Sequence, residues 1–208
     1  MEVSFSQLGF GTQAVDFDND SLNEIAITNG HIYKDAHPSS TYAQKMQVLR
    51  RKSHSKYEAI EFPPSDDYVN RNHVGRAMWK IDADRDGRID LVVTHQTEPL
   101  ALLMNQTPTD HSWIKLQLVG VDCERDAIGS TVTINRGKLQ RMAPLVSGDG
   151  FYCGNQRVLH FGLGSDEDLS STAIVQVRWP NGEQQNETLL INREYIVVQG
   201  RDAFDVSH

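Results

Sequence analysis

The chain has 208 residues, of which 38% are hydrophobic, with a mean hydropathy of -0.48. That is enough for two modest domains, each burying a core without help from disulfides, and no apolar run approaches the ~18 residues a membrane helix requires. A formal net charge of -8 argues against nucleic acid as a partner, because phosphate recognition needs a basic patch and the longest basic cluster is Arg50-Arg51-Lys52.

The acidity is concentrated. Eight carboxylates fall in two short segments, 16–24 and 82–90, and crowded carboxylates repel one another unless a cation joins them. The opening MEVSFSQLGF lacks the basic start, long apolar stretch and small-residue cleavage site of a secretory signal. Export is therefore not legible at this N-terminus.

The first acidic loop opens at Gly11-Thr-Gln-Ala-Val-Asp16-Phe-Asp18-Asn-Asp20, and the pattern recurs as Gly75-Arg-Ala-Met-Trp-Lys-Ile-Asp82-Ala-Asp84-Arg-Asp86. Each copy is followed by a short strand pattern, Glu24–Thr28 and Ile89–Thr94, so the pair reads as an internal repeat. The loops start 66 residues apart, longer than a typical ~40–50-residue propeller blade, and the difference predicts an insertion. Met46–Arg51 and Lys56–Ile60 read as a hairpin within it, in competition with a helix over Thr41–Arg51, where Tyr42, Met46 and Leu49 fall near helical spacing. Phe62–Asn72, with its breakers and no periodicity, reads as a surface loop.

From Trp113 the texture changes. Ile114, Leu116 and Leu118 alternate with Lys115 and Gln117, which predicts a strand with one buried face. Further strands are predicted at Ser130–Asn135, Leu139–Val146, Val158–Phe161, Ile174–Trp179, Glu187–Ile191 and Tyr195–Gln199. Short strands without amphipathic helices between them suit a sandwich or small barrel. The division is thus 1–108 for the repeats and 109–208 for a C-terminal β-domain, with the boundary near Thr107–His111. Cys123 and Cys153 allow either one bridge or two thiols.

The second loop offers Asp82, Asp84, Asp86 and Asp90 at positions one, three, five and nine, with Gly87 where the chain must turn sharply and the carbonyl of Arg88 at position seven. That arrangement wraps a hard, oxygen-seeking cation, and Ca2+ suits it better than Mg2+, which sheds water reluctantly and insists on an octahedron. The first loop keeps the spacing through Asp16, Asp18, Asp20 and Glu24, with Leu22 at position seven and Ser21 in place of the glycine. A weaker or distorted site is expected there, since a left-handed serine costs on the order of 1 kcal/mol. Both sites read as structural, because neither loop carries a neighbouring His-Glu pair or a phosphate cradle.

No nucleophile elbow or dinucleotide fingerprint is present. An enzyme reading would draw on His31, His73, His95 or His160 beside acids, but no spacing selects one of them. His160 reads as a satisfied strand residue and His31 as a turn group bonded to backbone. Phe151, Tyr152, Trp113 and Trp179 are candidates for stacking on a sugar or protein surface.

Leu8-Gly-Phe-Gly-Thr-Gln-Ala-Val-Asp-Phe-Asp-Asn-Asp20, Thr28-Asn-Gly-His31 and Val74-Gly-Arg76 through Asp90 resemble FG-GAP or VCBS-type repeats. Arg125-Asp-Ala-Ile-Gly129, Ser147-Gly-Asp-Gly-Phe-Tyr152, Leu159-His-Phe-Gly-Leu-Gly164 and Val177-Arg-Trp-Pro-Asn-Gly182 resemble the ASPIC/UnbV domain. The resemblance implies an all-β, cartilage-acidic-protein-like architecture of two β-propeller-type repeats followed by a β-sandwich-like ASPIC/UnbV domain. It also implies an extracellular or periplasmic, calcium-stabilised adhesion or binding module with a protein or carbohydrate ligand. The alternative is an accessory or catalytic component of a biosynthetic or carbohydrate-active enzyme. Ser21, Leu22 and Glu24 stand where the repeat usually has Gly, Asp and Asp. Closing a propeller takes at least four blades, so two repeats imply either a longer protein or blade edges that pair with a partner.

Overall fold

Period-two alternation builds this molecule. The computed structural model describes residues 7–34, 41–53, 56–64, 68–165 and 170–207, and it contains strands and no helix among them. The first sheet comprises β1 (Gly9–Val15), β2 (Glu24–Asn29), β3 (Gln47–Ser53) and β4 (Lys56–Ala59), in chain order and antiparallel throughout. The hairpin predicted between Met46 and Ile60 forms as β3–β4, with Leu49 opposite Ala59. The helical alternative loses because β3 pairs on its other side with β2, Ile25 facing Leu49. The alternate residues Gln44, Met46 and Val48 leading into this pairing are buried, and Arg50 and Lys52 beyond them are exposed.

The second sheet is β5 (Gly75–Ile81), β6 (Asp90–His95) and β7 (Ala101–Leu103), again antiparallel. Between β4 and β5, the described part of 62–72 carries no strand, and residues 65–67 of the predicted loop lie outside the described residues. The two sheets share one core, to which the first contributes Val15, Ala26 and Val48 and the second Met78, Leu91 and Val93. Each buried Val, Leu or Met among them supplies roughly 1.5–3 kcal/mol.

The C-terminal part is a sandwich. One sheet has the order β10-β9-β12-β13 and the other β11-β8-β14-β15, formed by β8 (Ser112–Val119), β9 (Thr131–Arg136), β10 (Leu139–Pro144), β11 (Val158–Gly164), β12 (Thr172–Arg178), β13 (Gln184–Leu190), β14 (Arg193–Val198) and β15 (Phe204–Asp205). All pairs are antiparallel except β8 with β14. Ile114, Leu116 and Val197 of one sheet meet Val132, Ile134, Val175 and Val177 of the other, and Trp179 closes the core at 2% exposure. Trp179 is thus a core residue and not a stacking surface. The two-residue β15 and three-residue β7 were not anticipated, because segments so short carry no periodic signal.

The two parts meet along β5, whose outer edge pairs with no strand among the described residues. A loop of the sandwich covers that edge. Asn155 Oδ1 accepts the Lys80 N–H at 2.7 Å, while the Met78 carbonyl accepts Cys153 Sγ–H at 3.0 Å and Gln13 Nε2–H at 2.8 Å. Bare strand edges invite unwanted pairing, and here side chains satisfy the exposed backbone. Cys153 is thereby engaged as a thiol. Cys123 is a second free thiol, donating to Gln199 Oε1 at 3.2 Å, so of the two options the cysteines allowed, the unbridged one is present.

Candidate metal centre

The two acidic loops fold alike, position by position. In the loop between β1 and β2, Asp16 Oδ2 accepts the Ser21 N–H at 2.9 Å, Asp18 Oδ1 that of Asp20 at 3.3 Å, and Asp20 Oδ1 that of Leu22 at 2.6 Å. Between β5 and β6, Asp82 Oδ2 accepts the Gly87 N–H at 3.0 Å, Asp84 Oδ1 that of Asp86 at 3.4 Å, and Asp86 Oδ1 that of Arg88 at 2.8 Å. Backbone conformation matches as well. Asn19 and Arg85 at position four have φ of 58° and 61°, and Ser21 and Gly87 at position six have 74° and 85°. Serine adopts the turn that glycine makes freely, at a strain of about 1 kcal/mol.

This winding gathers Asp16, Asp18 and Asp20 into one cluster and Asp82, Asp84 and Asp86 into another, with one carboxylate oxygen from each residue within 4.8 Å of the others. The ninth-position acids also bond back to their own loops. Glu24 Oε2 accepts the Phe17 N–H at 3.3 Å, and Asp90 Oδ2 accepts the Ala83 N–H at 2.8 Å, so each closes its own loop. Asp90 Oδ1 also takes the Asn105 N–H at 2.7 Å. Leu22 and Arg88 follow the triads directly, their N–H groups held by Asp20 and Asp86.

One atom in each loop is conspicuous. Asp16 Oδ1 and Asp82 Oδ1 are both buried with no hydrogen-bond partner, and an orphaned buried carboxylate oxygen costs several kcal/mol unless something positive meets it. Burial, reinforced by Asp20, Asp18 and Glu24, pushes the Asp16 carboxyl up to about 7 against the pull of the Ser21 N–H. Glu24 and Asp90 are also raised, in each case chiefly by burial. The donor set, all hard oxygens around an unmet charge, fits a divalent cation.

The loops differ in the cations that the protein itself supplies. Lys115 of β8 places its ammonium 2.6 Å from Asp82 Oδ2 and 3.2 Å from Glu194. Arg88 pairs with Asp86. Among the described residues the carboxylates of the first loop are approached only by the half-exposed Arg50, 3.9 Å from Asp18 and 3.7 Å from Glu24, while Arg141 bonds to the Ser21 carbonyl. Lys115 was read as a solvent-facing residue of its strand. It is instead 4% exposed, because the outer face of β8 lies against the repeats. Nothing in the sequence links Lys115 to an aspartate 33 positions earlier.

His160 is another residue whose surroundings only the fold reveals. Its Nε2–H donates to Asn19 Oδ1 at 2.8 Å, its Nδ1 is buried without a partner, and its ring stacks on Trp113. Burial first, then the charges of Lys115 and Lys80, lower its pKa to about 3, so it is neutral near pH 7. Asp16, Asp82, Lys80, Lys115, His160 and Glu194 all line one cavity of about 450 Å³. Asn19 ties the loops together, its Nδ2–H donating to the Gly87 carbonyl at 3.1 Å.

Glycine is required where each loop packs on the sandwich. At Gly162 a Cβ would lie 2.0 Å from Asp16 Oδ2, and at Gly87 one would lie 2.0 Å from the Trp113 ring. Each loop therefore touches the sandwich at van der Waals distance.

Residues 120–203 match the family model described as "ASPIC and UnbV". Cartilage acidic protein 1 of Mus musculus is 28% identical over 180 residues, covering 85% of this chain and 26% of that protein. The Homo sapiens protein is 29% identical over 172 residues, covering 81% and 24%. For Xenopus tropicalis the figures are 29% over 175 residues, 82% and 25%. The chain spans about a quarter of the length of these relatives. It carries an ASPIC/UnbV domain on two Asp-triad loops able to hold metal ions, and over most of its length it is a distant homologue of cartilage acidic protein 1.

Proposed function

We propose that this chain is a calcium-stabilised, non-catalytic extracytoplasmic binding module. The observation that carries the reading is the pair of buried, unpartnered carboxylate oxygens at the first position of two acidic loops that share hydrogen bonds and turn conformation. Loops that were merely solvated would turn those oxygens to water. Calcium is preferred over magnesium because several carboxylates wound through one loop suit its irregular oxygen shell, whereas magnesium keeps its waters and a near-ideal octahedron.

The histidines support a non-catalytic role. His73 Nδ1 faces Glu98 at 2.8 Å and its Nε2 faces the Tyr68 carbonyl at 3.0 Å, while His95 is held between the Tyr68 hydroxyl and the Pro99 carbonyl. His31 Nδ1 lies against the backbone of Tyr33. These ring nitrogens are spent on structural bonds.

For binding, the candidate face is a groove lined by Phe10, Ile32, Arg76, Trp79, Phe151 and Tyr152. The Arg76 guanidinium lies 4.3 Å over the Phe10 ring, Phe10 meets Phe151 at 5.4 Å, and Phe151 meets Tyr152 edge-on at 4.7 Å. Of the four aromatics singled out from the sequence, Phe151 and Tyr152 are the exposed pair. Aromatic faces beside a fixed guanidinium suit a carbohydrate or a polar protein surface.

The test is thermal unfolding with millimolar Ca2+, with equal Mg2+ and with chelator. An ion bound only by the native state adds about 2.7 kcal/mol at a hundred times its dissociation constant. A melting temperature several degrees higher in Ca2+ than in chelator, with a smaller rise in Mg2+, is the expected result; the same melting temperature in all three solutions overturns the proposal.

A further inference from the structure

The two loops share one backbone but not one electrostatic setting. At the second, the Lys115 ammonium sits 2.6 Å from the position-one carboxylate and Arg88 pairs with the position-five carboxylate. Two of the three triad carboxylates are thus met directly by a protein cation, with Glu194 sharing the Lys115 ammonium. At the first, no protein cation among the described residues stands at hydrogen-bond distance from a triad carboxylate: Arg50 lies 3.9 Å from Asp18 and 3.7 Å from Glu24, and Arg141 meets the Ser21 carbonyl instead. Net ligand charge is a main determinant of how tightly an acidic loop holds a divalent ion.

The loops also differ in what grips them. The backbone of the first loop is held by the sandwich and its approach segment at many points. Ser21 Oγ–H donates to the Gly162 carbonyl at 2.8 Å, the Gly164 N–H to the Asn19 carbonyl at 2.9 Å, and Arg141 Nε–H to the Ser21 carbonyl at 3.0 Å. The Asp18 carbonyl accepts from Thr109 Oγ1 at 2.6 Å and from His111 Nδ1 at 2.8 Å. The second loop is held through the Lys115 ammonium and by Trp113 packed on Gly87. A cation that fixes the first loop's backbone therefore fixes the seat of the sandwich.

We propose that the loops hold divalent cations unequally and to different ends: the Asp16–Asp20 loop fills first and fastens the sandwich to the repeats, while at Asp82 the Lys115 ammonium does part of the cation's work and lowers the affinity of the second loop. This rests on the cation-binding reading above, and it inverts the ranking that the glycine of the second loop suggests.

Calorimetric titration of the whole chain with Ca2+ tests it, accompanied by hydrogen exchange at the Gly164 amide. The parent is expected to bind in two phases. Asp16→Asn, and independently the less buried Asp20→Asn, should remove the tighter phase, and Asp82→Asn the weaker. Lys115→Met should tighten the weaker phase about tenfold or more, since it deletes a charge beside the ligands, while Lys115→Arg leaves it as in the parent. Protection at Gly164 should rise as the first equivalent binds. Loss of the tighter phase in Asp82→Asn, an unchanged weaker phase in Lys115→Met, or Gly164 protection that follows the second equivalent would overturn the inference while leaving cation binding intact. A parent that binds no Ca2+ would overturn both.

Discussion

Asp16 shows how a single side chain ties stability to an ion. Its carboxyl has a folded pKa of about 7, above the ordinary 3.8, with burial the first cause. For a raised pKa the associated stability is full below about pH 3.8 and is lost as pH rises through about 7. At pH 8 without a cation the buried charge therefore opposes folding, by on the order of 3–4 kcal/mol. Asp16→Asn keeps an oxygen for the Ser21 N–H and removes the charge. Denaturant melts at pH 8 should find this variant more stable than the parent in chelator and less stable in Ca2+. A parent that is the more stable of the two in chelator would contradict the account of Asp16 as an unmet charge.

At the scale of elements, the strands follow from alternation and their limits from turn residues. The strand predicted at Ile174–Trp179 is observed as Thr172–Arg178, and that at Leu139–Val146 as Leu139–Pro144. Val175 and Val177 face inward and are fully buried, as Val132 and Ile134 are on the neighbouring β9. Trimming Val175 to alanine should cost about 2–3 kcal/mol in urea or guanidinium unfolding, because a close-packed core collapses only partly around a cavity. A cost below ~0.5 kcal/mol would show that this face is not core. Lys115 lies on the opposite face of its strand. Alternation correctly turned it away from the sandwich core, and only the packing of β8 on the repeats decided that it meets Asp82 rather than water.

Considered whole, the molecule builds surfaces that no single segment owns. Phe10 comes from the first sheet, Arg76 from the second, and Phe151 and Tyr152 from the sandwich loop that caps β5. Tyr152 is 89% exposed and held at φ 52°. An aromatic kept in a left-handed turn and pointed at solvent incurs strain without burial in return, which is the pattern of a ligand contact. Screening against a glycan array should give a signal that Tyr152→Ala abolishes with no more than a degree or so of change in melting temperature. A signal that survives the substitution would assign binding elsewhere, and an empty array would turn the search to protein ligands.

The sequence by itself determined most of the strands, the repeated carboxylate spacing and the oxygen-rich loops, because these depend on near neighbours: alternation, turn residues and charge density act over a few positions. The tertiary structure alone decided which carboxylate oxygen is left unmet, which loop receives the Lys115 ammonium, that the thiols of Cys123 and Cys153 stand apart, and that Asn19 bridges the two loops to His160. Those outcomes depend on charge, burial and distance between residues far apart in the chain. Local pattern has no access to that information, since the dielectric around a group is set by whatever packs over it.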